Sequence, residues 1–75
     1  MKDLAGYIAT ALVDDADAVR VEEAHGDEHV VTIHVAQGDR GVIVGRQGRT
    51  VRAIQTVLNA ASGHRVSLEI GDAEG

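Results

Sequence analysis

The sequence contains no cysteine, so neither a disulfide nor a thiolate metal site can reinforce the fold, and nothing points to an oxidising compartment. Phenylalanine and tryptophan are also absent, and tyrosine occurs once, at Tyr7. Val, Ile, Leu and Ala must therefore build the core. No apolar run approaches the ~18 residues of a membrane span. The opening MKDLAGYIATALVDD has the lysine and apolar stretch of a leader peptide. However, Asp3 interrupts its charged end, and its apolar residues fall at helical spacing rather than in a block. A soluble, cytoplasmic protein is expected. No Ser or Cys nucleophile with a plausible base can be named, so no enzyme and no cofactor are expected.

What is present fits one small domain. The chain has 75 residues, and one of this size buries only about 60% of its unfolded surface. Basic residues are few: 7 Lys and Arg stand against 12 Asp and Glu, a formal net charge of −5. Taken alone, that balance argues against a nucleic-acid partner. The distribution argues the other way. Between Gly38 and Arg65 lie Arg40, Arg46, Arg49, Arg52 and Arg65 with a single acid, Asp39, a local balance of +4. The remainder sets Lys2 and Arg20 against eleven acids, a balance of −9. Such asymmetry concentrates positive potential on one part of the surface.

Leu4, Tyr7, Ile8, Ala11 and Leu12 recur at the spacing of an amphipathic helix, with Asp3 placed to cap it. Asp14 to Asp17 read as a stop and turn, without the residue pattern of a calcium loop. Val19 and Val21 alternate with polar neighbours as in a strand, and Ala24 to Glu28 read as a hairpin loop. In the next strand Val31, Ile33 and Val35 share one face, and Val30, Thr32 and His34 the other. One or two helical turns are expected over Gly38 to Val44. Val51, Ile54, Val57, Leu58 and Ala61 then define a second apolar helical face, ended by Gly63. Val66, Leu68 and Ile70 mark a last strand, and residues 71–75, GDAEG, are set apart as a frayed tail. Met1 and this full set of elements suggest a whole protein rather than a fragment. The order predicts an α+β domain, a three-stranded sheet with helices on one face and a wet opposite face.

The arginines surround GVIVGRQGRTVRAI, residues 41–54. A P-loop or a dinucleotide fingerprint would need a glycine at position 43, which is Ile43, and the P-loop lysine is missing as well. What fits is a shorter frame: Ile43 and Val44, then Gly45-Arg46-Gln47-Gly48, then Arg49, Thr50 and the apolar Val51. Framed in this way, between a strand and a long helix, the segment resembles the GxxG loop of the KH domain. The element order α-β-β-α-α-β resembles the type II KH fold over residues 1–70. Size, opening and GRQGRTVRAI segment together resemble the small single-KH bacterial RNA-binding proteins of the KhpA family.

That resemblance implies a loop that clamps the backbone of about four nucleotides of single-stranded RNA. It further implies an RNA chaperone or adaptor of low sequence specificity. As partners it implies a homodimer, or a heteromer with a larger Jag-like KH protein. The residues themselves suit the task. Gly45 and Gly48 would let a phosphodiester approach the main chain, as Gly41 would nearby. The helix opening at Arg49 offers free amides and the positive end of its dipole. Arg46 and Arg49 supply bidentate donors, Arg40 and Arg52 extend the field, and Gln47 can donate to any base. Val44 and Val51, with Ile43 or Ile33, could floor a groove for bases. Phosphates hold and bases specify, so the loop predicts affinity better than sequence preference.

Blander readings stand beside these. GRQG could be a tight interhelical turn with solubilising arginines, and the domain a protein-association or dimerisation scaffold that leaves its groove unused. Val51, Ile54 and Leu58 are mainly core. His34 should be an exposed strand residue and His64 a helix-end residue favoured by the dipole. His25 and His29 flank Asp27, but with no third ligand at fixed spacing no metal site is expected.

Overall fold

The computed structural model describes residues 1–73. Helix α1 (Lys2–Leu12) leads into strands β1 (Arg20–His25) and β2 (His29–Val35), then helix α2 (Arg40–Val44), helix α3 (Arg49–Ser62) and strand β3 (Ser67–Asp72). Single 3₁₀ turns fill Ala16–Ala18, Gln37–Asp39 and Arg46–Gly48. The sheet order is β1-β2-β3, with β1 antiparallel and β3 parallel to β2. The α+β order expected from the sequence is the one observed. Among the described residues, no helix is long and apolar enough to cross a membrane.

The period of the central strand decides the layering. Val31, Ile33 and Val35 are fully buried, whereas Val30, Thr32 and His34 between them are half-exposed. The buried set packs with Ala5 and Ala9 of α1, Ile43 of α2, Ile54 and Leu58 of α3, and Val66. All three helices thus cover one face, and each fully buried Ile, Leu or Val contributes roughly 1.5–3 kcal/mol. Polar α3 side chains fasten the entry to β3. Asn59 Oδ1 accepts from the Val66 amide at 2.8 Å, and Gln55 accepts from Leu68 at 3.2 Å while donating to the Val66 carbonyl.

Several sequence expectations need correction. The face that α1 turns to the sheet centres on Ala5 and Ala9, whose small side chains allow close approach; of the expected stripe only Leu4 and Ile8 pack against the core, half-buried at its edge. Tyr7 is 74% exposed, and Ala11 and Leu12 are exposed too. Asp3 lies in the first turn, and the N-cap is Met1 without a side-chain bond. On α3, Val57 and Ala61 face outward, leaving Ile54 and Leu58 as the core contacts. The hairpin loop is only Gly26 to Glu28, because pairing continues to His25 opposite His29. Strand β3 runs through Gly71 and Asp72, paired with His34 and Val35, and the Ala73 amide bonds to the Val35 carbonyl at 2.9 Å. Main-chain pairing needs no core-forming side chains, which is why composition missed it. The last two residues of the expected tail, 74–75, lie outside the described residues.

Candidate nucleic-acid interface

Helix α2 stops because Gly45 adopts φ 77° and ψ 171°, with its amide still bonded to the Gly41 carbonyl at 2.9 Å. Arg46, Gln47 and Gly48 make one turn, closed by the Gly48 amide on the Gly45 carbonyl at 3.1 Å. Gly48 is left-handed at φ 75°, ψ 16° and directly precedes α3. The two glycines have different reasons to be glycine. A Cβ at Gly45 would lie 2.7 Å from the Thr50 Cβ, so the loop packs onto the first turn of α3. A Cβ at Gly48 would meet only the Arg52 guanidinium at 3.4 Å and Val51 at 3.9 Å, so there the constraint is the backbone angle.

Gln47 has φ 57° and ψ 26°, the one non-glycine residue with positive φ among those described. A left-handed residue other than glycine costs about 1–2 kcal/mol. Gln47 stands exposed at the turn's tip. Such strain in a tight loop is common where a ligand is clamped.

Charge is arranged around this loop. Arg40, Arg46, Arg49 and Arg52 are all exposed, and among the described residues none of them takes part in an ion pair. Arg52 lies against the loop at Gly48, one helical turn along α3. Arg40 opens α2, about 6 Å along the axis from Val44. The only acid of the segment is withdrawn: Asp39 is 6% exposed, and its carboxylate accepts the amides of Asp14 and Asp15 at 3.2 and 3.1 Å. The basic surface is therefore purer than its sequence count.

The expected site residues divide by burial. Val44 and Val51 are half-buried beside the loop, and Gly41 is exposed on α2 with open space where a Cβ would stand. Ile43 and Ile33 are fully buried and cannot floor a groove, which corrects that expectation: both point into the core from elements with a single wet face. Sequence reasoning missed Thr50, whose packing fixes the loop, since a threonine in a helix's first turn gives no distinguishing signal. It also missed a second feature. Leu4, Tyr7, Ile8 and Leu12 of α1 face Ala53, Ile54 and Val57 of α3 across an apolar groove of about 390 Å³. Tyr7, Leu12, Ala53 and Val57 are its exposed members.

A family model described as KhpA/KhpB, KH domain, matches residues 2–70. The RNA-binding protein KhpA of Halalkalibacterium halodurans is 44% identical over 77 residues, covering 96% of this chain and all of its own. The RNA-binding protein KhpA of Aquifex aeolicus is 42% identical over 74 residues, covering 93% of this chain and 94% of its own. That of Caldanaerobacter subterraneus subsp. tengcongensis is 44% identical over 63 residues, covering 83% and 84%. No solved structure matches the chain.

Proposed function

The chain belongs to the KhpA/KhpB KH-domain family, and from that premise we propose that it is a non-catalytic, cytoplasmic module that binds single-stranded RNA through its Gly45–Gly48 loop. The observation that carries this reading is the set of four exposed arginines around a glycine turn, without ion-pair partners among the described residues, with the segment's one acid buried elsewhere. Arg46, Arg49 and Arg52 would hold phosphates as the chain passes Gly45 and Gly48, and Arg40 would extend the track past Gly41. Val44 and Val51 would meet bases as half-buried aliphatic surfaces, and Gln47 would donate without demanding one base. Few base-edge contacts are available, so the module has low sequence preference and suits a chaperone or adaptor role.

A loop that grips about four nucleotides binds weakly alone, and linking two loops raises affinity without any new contact. The α1/α3 groove supports the second reading, a protein-association module. We assign a second copy of this chain to it, because an isologous pair buries the same face twice and needs no other patch. Tyr7→Asp with Val57→Asp should then give a folded monomer on a sizing column with light scattering. A wild-type chain that is already monomeric would leave the groove to a larger Jag-like KH protein instead.

The RNA reading is tested by replacing Arg46 and Gln47 with Asp. Both glycines stay, and Asp tolerates the left-handed angles at position 47 better than most residues. Loss of binding to single-stranded RNA with an unchanged circular-dichroism melt supports the reading. Unchanged binding, or none by the parent chain, leaves the association module standing alone.

A further inference from the structure

At the opposite end of α3 from the loop, strand pairing brings two imidazoles to one carboxylate, and a third imidazole reaches one of the two from the end of α3. His25 and His29 are direct partners across the β1–β2 hairpin, and Glu23 precedes His25 by two residues on the same face of the sheet. Glu23 Oε2 lies 2.5 Å from His29 Nε2 and 3.3 Å from His25 Nε2. The three donor atoms all fall within 4.8 Å of one another. His64, just beyond α3, brings its Nε2 to 2.8 Å from the other nitrogen of His29, Nδ1. The ring of His29 is thus held on both sides, stacked on His25 at 4.2 Å and tilted against His64 at 5.1 Å.

We propose that Glu23, His25 and His29 form a three-ligand site for a divalent zinc-class cation, with His64 as the residue that positions His29. Two imidazoles and a carboxylate are the donor set of such ions, whereas calcium and magnesium take oxygen. Tetrahedral bonds of 2.0–2.2 Å place neighbouring donors about 3.4 Å apart. The Glu23–His25 pair already has this separation, and the Glu23–His29 pair reaches it when a cation replaces the proton between them. With Nε2 of His29 on the cation, its Nδ1–H donates to His64 Nε2, the outer hydrogen bond that orients a ligating imidazole. Glu23 and His29 are mostly buried, and His25 stands open beside a cleft of about 380 Å³. A fourth position therefore remains for water. The 14 residues of α3 separate this site from the loop by roughly 20 Å, so the cation would clip the hairpin to the end of α3 without touching the RNA surface.

The test is calorimetric titration of the metal-free chain with zinc chloride at neutral pH, alongside thermal melts with and without zinc. One zinc per chain and a raised melting temperature are expected. His25→Ala removes one ligand and should lose at least tenfold in affinity, with its zinc-free melt recorded alongside so that any loss of the His29 stacking is separated from loss of zinc binding. His64→Ala should lose 10–100-fold, and His64→Gln, which keeps an acceptor for His29, should recover most of that. His34→Ala, on the other sheet face, should bind as the parent does. No saturable uptake, equal uptake by His25→Ala, or one zinc shared between two chains would each overturn the proposal. None of these outcomes depends on RNA binding.

Discussion

Thr50 occupies the space that a side chain at Gly45 would need: a Cβ there would stand 2.8 Å from the threonine's main-chain nitrogen. Gly45→Ala must therefore bear both the backbone angle and a clash. It should destabilise the domain by about 2–6 kcal/mol, the sum of local strain and overpacking. Gly48→Ala bears the angle alone and should cost about 1–2 kcal/mol. Urea unfolding of the two variants checks the order. It also shows why loss of RNA binding in Gly45→Ala would not by itself identify a contact.

Gly41 offers the opposite case. It lies within α2 at ordinary helical angles, and a Cβ there meets open space. Gly41→Ala should stabilise the chain by about 0.5–1 kcal/mol. On the RNA account the same methyl intrudes on the phosphate track and lowers affinity several-fold. A higher melting temperature with weaker binding is the expected pair of results. Equal gains in both would remove Gly41 from the interface.

Asp39 ties the basic segment to the turn after α1. Asp39→Ala leaves the Asp14 and Asp15 amides without their acceptor and should cost about 1–3 kcal/mol. Asp39→Asn keeps one acceptor oxygen and should cost less. Chemical unfolding of the pair distinguishes an acceptor role from simple packing, which would make the two variants alike.

Glu23 should contribute to the acid limb of stability in metal-free protein. Its carboxyl is lowered from an ordinary value of 4.5, first by the hydrogen bond from His29 and then by nearby positive charge. A depressed folded value means that the carboxylate stabilises the fold above pH 4.5, and that this contribution fades as the pH falls through the lowered folded value. With a chelator present, the stability gap between parent and Glu23→Gln should narrow below about pH 4.5. A gap that stays constant would show that Glu23 contributes through contacts independent of its charge.

The sequence exposed the parts of this fold that depend on strong periodicity. Val31, Ile33 and Val35 alternate without interruption, and Gly63 follows a long amphipathic stretch, so strand and helix end were both legible. The face of α1 was not, because Ala5 and Ala9 carry little hydropathy and the bulkier Leu4, Tyr7 and Leu12 outweigh them. Those larger residues line a groove toward α3, with Leu4 also packed against the core, which no local pattern announces. Gln55 and Asn59 lie off the apolar stripe of α3, yet they accept main-chain amides before and within β3.

For the site, the glycine frame and the arginine cluster were visible as residues, while the burial of Asp39 was not. Its partners lie 24 and 25 positions away, beyond any motif. The histidines give the same lesson. Glu23, His25 and His29 look unrelated along the chain until strand pairing puts them on one face, and His64 joins from 35 residues further on. A hairpin register, had it been assigned with the shorter loop, would have supplied the third ligand.

The central claim is that exposed arginines beside the loop hold RNA through its phosphates. The salt dependence of affinity for a short single-stranded RNA tests it most directly. If Arg40, Arg46, Arg49 and Arg52 each neutralise one phosphate, log K against log salt should fall with a slope of roughly −3, and Arg46→Ala should make it shallower by about 0.7. A flat profile, or a slope that the substitution leaves unchanged, would contradict the account.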